Sequence, residues 1–328
     1  MAEQEAEAGQ LNALVRARAP ELAAASLGGS FRLGEASFRL HARGRNTIYR
    51  VSGRSNWFVK FASPSDTYVM PREQLGADAC RRVLSDRQDY GGPFVTRVSL
   101  SPPYILASAI DGVPLTRVLA VDAWAPWSST RLEAAFGTLG TLLGTLHANV
   151  SLPDDAPEAT KRPFDVVRQL AERIDAPDAT IRLVRTWCDD VRERPEAETF
   201  IHGNLRLDNL LLTGSRIGFV DFEHCGRGPR YQDASRPVTQ LLLLRASVAS
   251  PTRRVDRLLE TFLKAYGAVR PYDLAALGEW VAVRLARYYL ESHARRFPGV
   301  IGGLPVVRAR LGALTRDLMR DGLGPIAH

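Results

Sequence analysis

Cysteine is scarce in this chain: Cys80, Cys188 and Cys225 are the only three in 328 residues. They are odd in number and far apart, which argues against a disulfide framework or a zinc ribbon and makes a reducing cytoplasm the expected home. No apolar run approaches the roughly 20 residues that span a bilayer. The longest candidate, Leu241 to Leu244, reads as part of a helix. The acidic start, MAEQEAEAGQ, lacks the basic-then-apolar layout of a secretory signal. Repeats and low-complexity tracts are absent, as are zinc-finger spacing, a basic heptad region and an aromatic-rich RNA motif. No membrane partner is therefore expected, and nucleic acid is disfavoured.

What is present is ordinary globular composition, 45% hydrophobic and 24% charged, in a chain long enough for two lobes with cores of their own. The net charge is +7, and the excess sits in one place. From Ala234 to His328 there are 15 Arg and Lys against 7 Asp and Glu. Such a region serves solubility, an anionic ligand or an acidic protein partner.

The pattern divides the chain near residue 110. Leu11 to Leu27 has helical spacing and ends at Gly28-Gly29. Strand character follows at Phe31 to His41, Thr47 to Ser52 and Trp57 to Ala62, with a turn at Ser52-Gly53. A helix is expected over Pro71 to Leu84, then strands over Phe94 to Leu100 and Tyr104 to Ala109. Beyond a linker near Ser108 to Gly112, Arg131 to Asn149 has a strong helical period. Phe164 to Ile174 and Ala179 to Arg192 read as helices, Leu210 to Thr213 and Ile217 to Asp221 as a strand pair. The remainder, from about Arg236, reads as helix over Thr252 to Tyr266, Tyr272 to Phe297 and Leu304 to Leu323. The expectation is an α+β bilobal chain with a β-rich N-lobe, 1–110, and a mainly helical C-lobe, 111–328.

Two segments carry chemistry. One is Phe200-Ile201-His202-Gly203-Asn204-Leu205-Arg206-Leu207-Asp208-Asn209, and the other is Phe219-Val220-Asp221-Phe222-Glu223. Together they resemble the catalytic and metal-binding segments of the aminoglycoside phosphotransferase family, which has a protein-kinase-like fold. In that family the pattern is His-Gly-Asp, an Asn five residues later, then Asp-Phe-Glu after a short strand pair. The resemblance implies ATP (or GTP) and Mg²⁺ as cofactors, with Asn209 and Asp221 as metal ligands. An amide and a carboxylate oxygen suit a hard cation that shares its other positions with phosphate and water.

Upstream, Lys60 ends a strand and Glu73 lies in the next helix, similar to the kinase pair in which a strand lysine meets the α/β-phosphates. Gly44, Arg45 and Asn46 occupy the place of the phosphate-covering loop, although with a single glycine. Backbone groups from Ala107 to Ile110, including Ser108 and Ala109, would meet the adenine edge. Asp233 resembles the aspartate that braces the catalytic loop, and His202 is expected to bond backbone near the metal site. His147 reads as a buried, satisfied histidine and Cys225 as a core thiol.

The departure is Asn204, which stands where the family has its general-base aspartate. An amide can orient a hydroxyl through its oxygen but cannot take its proton. Three accounts remain open: a pseudokinase that binds nucleotide or a protein partner, an Asp-to-Asn change introduced to trap a complex, or another base, with Asp208 nearest in sequence. The acceptor-side helices carry Arg253, Arg254, Arg257, Arg284, Arg287, Arg295 and Arg296. Their sign is wrong for a polycationic aminoglycoside. It favours a neutral or anionic small-molecule or peptide acceptor.

Overall fold

A computed structural model describes the chain except residues 1, 25–28, 44–45, 64–65, 67–68, 94–95, 123–128, 160–162, 175–177, 191–197, 248–251, 294–304 and 325–328. Gly44, Arg45, Arg295 and Arg296 thus lie outside the described residues. The fold is bilobal and α+β, as expected, with a sheet-rich N-terminal region and a mainly helical C-terminal one.

The N-terminal region is a six-stranded antiparallel sheet in the order β1-β2-β3-β4-β6-β5. The strands are β1 (Ser30–Leu33), β2 (Ala36–Arg43), β3 (Thr47–Ser52), β4 (Asn56–Phe61), β5 (Thr96–Leu100) and β6 (Pro103–Ser108). Phe31 to His41 is two strands, because Gly34 at φ 57° reverses the chain. Alternation along β4 buries Trp57, Val59 and Phe61 and leaves Lys60 on the opposite face. Helix α3 (Val69–Leu84) follows β4 and packs Met70, Ala77, Ala79 and Cys80 inward.

The N-terminal helix begins earlier than its periodicity suggests and breaks before Gly28. It comprises α1 (Ala2–Ala17) and α2 (Ala19–Ala23), with Pro20 in the first turn of α2. Both pack on the sheet. Tyr104 OH donates to Asn12 Oδ1 at 2.8 Å, and Tyr49 OH donates to Leu22 O at 3.0 Å.

Residues 109–112 cross to the C-terminal region, where β7 (Val113–Pro114) pairs with β9 (Leu210–Thr213), itself paired with β10 (Arg216–Phe219). The expected strand to Asp221 stops at Phe219, because the chain turns at Asp221, whose φ is 67°. A second ladder, β8 (Glu198–Ile201) with β11 (Gly226–Pro229), leads into and out of the loop segments. The helices are α4 (Leu115–Asp122), α5 (Ser129–Asn149), α6 (Pro163–Arg173), α7 (Ala179–Asp190), α8 (Tyr231–Ala246), α9 (Thr252–Val269), α10 (Leu274–His293) and α11 (Pro305–Asp321).

Helices α5 and α9 approach closely at Gly140, where a Cβ would stand 2.5 Å from Phe262 O. That contact brings His147 Nδ1 within 2.9 Å of Tyr266 OH. No described helix is long and apolar enough to cross a membrane.

Candidate active site

Lys60, one of three lysines in the chain, is the centre of a charge cluster. Its Nζ lies 2.6 Å from Glu73 Oε1, 2.7 Å from Asp221 Oδ1 and 3.5 Å from Glu223 Oε2. The sheet presents Lys60, α3 presents Glu73, and the segment after β10 presents both acids. The sequence pattern had not singled out Glu223. Burial alone would lower the lysine, but Glu73 and Asp221 outweigh it and raise its pKa. Burial is the largest influence on Glu73 and raises its carboxyl despite Lys60. Three carboxylates around one ammonium leave surplus negative charge, as a site for a divalent cation requires.

The segment carrying Asp221 is fixed from several sides. Phe222 N donates to Glu73 Oε2 at 3.0 Å, so one carboxylate holds both the lysine and this backbone. The Phe222 ring packs on Gly76 of α3, where a Cβ would meet it at 2.4 Å. Arg72 Nη1 donates to Cys225 O at 2.7 Å. Among the described residues Asp221 is the one non-glycine with positive φ. Such backbone costs on the order of 1–3 kcal/mol and persists where its surroundings impose it.

The loop 202–209 is anchored on α8. The buried Asp233 carboxylate accepts from His202 N at 2.5 Å and from Gly203 N at 2.9 Å. Leu207 N donates to Gln240 Oε1 at 2.9 Å. Gly203, at φ 75°, runs so near His224 that a Cβ would stand 2.1 Å from its carbonyl oxygen. His202 Nε2 lies 2.9 Å from Val220 O, tying the loop to the chain just before Asp221.

Asn209 Nδ2 donates to Asn204 O at 3.0 Å, which directs Asn209 Oδ1 elsewhere, and Val220 N donates to Asn209 O at 3.0 Å. This ties Asn209 to the backbone one residue before Asp221, and an amide and a carboxylate oxygen are of the kind a hard cation takes. Among the described residues no group of three or more His, Cys, Asp and Glu could hold a metal alone. A cation here would draw its remaining ligands from phosphate and water.

Asn204 is partly buried beside these groups. Asp208 is turned away: Arg206 Nη2 donates to Oδ2 at 2.8 Å and Thr116 Oγ1 to Oδ1. Ser108 ends β6 opposite Trp57, and Ala109 N donates to Asn56 O at 2.9 Å. Ile110 N makes no backbone hydrogen bond among the described residues, and Ile110 O accepts from Gly112 N at 2.9 Å. The Ile110 side chain packs against Gly218 of β10, below the crossing segment. Asn46, just before β3, is partly buried.

The basic residues expected on the acceptor side are dispersed. Arg253 is exposed on α9, and Arg254 donates to Asp122 O at 3.0 Å. On α10, Arg287 pairs with Glu291 at 2.7 Å. Arg284 is buried, donating to Ser235 Oγ at 2.7 Å and to Gln232 O.

Residues 39–280 match the family described as the phosphotransferase enzyme family, APH. The chain belongs to this family. Among solved structures, an amicoumacin kinase in complex with AMP-PNP, Ca²⁺ and Ami is similar at a TM-score of 0.59 and 14% identity, over 90% of this chain and 91% of that one. The aminopropanol kinase associated with a microcompartment gives 0.55 and 18%, over 91% and 97%. A choline/ethanolamine kinase family protein from Mesorhizobium loti gives 0.54 and 16%, over 95% and 96%. At these identities the likeness shows a shared fold. No curated protein matches the chain in sequence.

Proposed function

We propose that the chain is an ATP- and Mg²⁺-dependent phosphotransferase acting on a hydroxyl of a small molecule or a peptide Ser/Thr. Lobes 1–110 and 111–328 would enclose the nucleotide. The observation that carries this is Lys60 Nζ, held 2.6 Å from Glu73 and 2.7 Å from Asp221. Lys60 would hold the α/β-phosphates and Glu73 would keep it in place. Asn209 Oδ1 and Asp221 would hold the cation. The Ile110 N–H would meet adenine, together with backbone groups of Ser108 and Ala109. Magnesium nucleotide, when bound, supplies the phosphoryl group and offsets the surplus acid around Lys60.

Asn204 is the group next to the acceptor hydroxyl. Its amide oxygen orients that hydroxyl by accepting its hydrogen bond, but it takes no proton. Asp208, engaged by Arg206 and Thr116, is not free to replace it. Turnover is therefore slow in this form. The same amide favours a second reading, a catalytically silent module that binds nucleotide or a protein partner. Two of the similar structures are kinases named for small molecules, amicoumacin and aminopropanol, in keeping with a small-molecule acceptor.

Transfer of labelled phosphate from ATP to a panel of hydroxylated acceptors, by the chain and by Asn204→Asp, tests the enzyme. Transfer that rises in the variant supports a phosphotransferase. Nucleotide binding with no transfer by either form supports the silent module.

A further inference from the structure

The strongest unclaimed feature is a basic cluster behind the catalytic loop, centred on Arg236. Asp233, Arg236 and Gln240 share one face of α8, being three and seven residues apart. The first anchors Gly203 and the last anchors Leu207. Arg236 therefore faces the stretch between those anchors, which contains Asn204 and Arg206.

Arg236 is mostly buried, and its Nε is wholly buried without a hydrogen-bond partner. Its side chain has no hydrogen bond or ion pair to any described residue. The neighbouring cations are otherwise engaged: Arg206 pairs with Asp208, Arg287 with Glu291, and Arg284 donates to neutral oxygens. The nearest buried carboxylate, Asp233, is engaged by two backbone N–H groups. Burial holds the Arg236 guanidinium below its usual pKa, Arg287 and Arg206 push the same way, and Tyr288 and Asp233 offset this only in part. A buried cation normally has a paired anion. Among the described residues no acid pairs with Arg236 within ion-pair distance, and Asp233 acts on it only from further away.

Resting on the phosphotransferase reading, we propose that Arg236 binds an oxyanion of the acceptor, so that the hydroxyl substrate carries a carboxylate or phosphate group. The guanidinium offers a planar fork that matches either group. Its place on α8 sets that group beside Asn204, where the hydroxyl would be presented. Arg206 and Arg287 add positive potential around it without being its direct ligands. Sequence reading had passed over Arg236 as part of the helical remainder.

The test is a thermal-shift titration of the full chain saturated with Mg-AMP-PNP, so that the nucleotide site is already filled. Inorganic phosphate and acetate are titrated against chloride at constant ionic strength. Phosphate, acetate or both should raise Tm, and which one does so identifies the acceptor's anionic group. In Arg236→Gln the half-saturating concentration should rise at least tenfold, whereas Arg39→Gln, on the exposed face of β2, should leave it unchanged. Without oxyanion, Arg236→Gln and Arg236→Met should melt no lower than the parent, because each removes an uncompensated cation. An equal oxyanion response in Arg236→Gln, no response to either ion, or a fall in Tm of both unliganded variants would overturn the proposal. The prior Mg-AMP-PNP shift reports separately on the nucleotide site. If it is present without an oxyanion response, only this inference fails, and if it is absent, the reading beneath it fails.

Discussion

Phe222 lies directly against Gly76: a Cβ added to the glycine would meet Cδ1 and Cγ of the ring at 2.4 Å. The contact joins α3, which carries Glu73, to the segment that carries Asp221, so the two acids that hold Lys60 are set by one packing event. Alanine in a helix interior is usually favoured over glycine by about 1 kcal/mol. Here overpacking should reverse the sign, and Gly76→Ala should lose about 1–3 kcal/mol in urea unfolding. Its nucleotide-dependent thermal shift should shrink as well. A more stable variant with intact binding would contradict the contact.

Lys60→Met leaves Glu73, Asp221 and Glu223 facing one another without a cation. Breaking a buried pair costs about 3–5 kcal/mol, and the one-third exposed Asp221 places the expected loss at the lower end. Urea midpoints with and without Mg-ATP measure both effects. Nucleotide protection should vanish together with the stability.

Asp233 gives a pH dependence. Burial would raise its carboxyl, but the His147 ring at 3.7 Å, His202 and the backbone bond from His202 N hold it below its ordinary 3.8. A depressed carboxyl contributes stability that is full above the unfolded value and is lost as pH falls through the folded one. Asp233→Asn offers one acceptor oxygen to two N–H groups and should cost about 1–3 kcal/mol at pH 7. The gap between parent and variant should close below pH 3.8. A constant gap from pH 7 to pH 3 would show that the carboxylate charge does not matter.

Asn204→Asp restores a proton acceptor at unchanged shape. A positioned general base contributes about 10²- to 10⁴-fold, so ATP turnover or transfer should rise by that order. The fold and the nucleotide-dependent thermal shift should be unaffected. A measurable rate that is the same in both forms would assign the base elsewhere.

The Lys60 and Glu73 pair was legible through its likeness to the kinase lysine and glutamate, which lie on a strand and on the helix that follows it. Strands β3 and β9 were legible from a local pattern, since their limits follow from β-forming runs bounded by turn residues. Other features depend on long-range packing. The ladder of β8 with β11 is Gly-Arg-Gly-Pro on one side, with no alternation to reveal it. The N-terminal helix broke at Ala17 because Pro20 begins a new turn, a local signal outweighed by an apolar period running past it. Glu223 and Arg236 escaped notice because their significance lies in what surrounds them: Glu223 is a third acid at one lysine, and Arg236 is a guanidinium whose buried Nε has no hydrogen-bond partner.

The most direct test is the melting temperature of the full chain with and without ATP, each with and without Mg²⁺. Ligand at about 100 times its dissociation constant should stabilise the fold by roughly 2.7 kcal/mol. The account predicts a rise with ATP that requires Mg²⁺ and disappears in Lys60→Met. An identical melting temperature in all four conditions would contradict a nucleotide site at Lys60, Asn209 and Asp221.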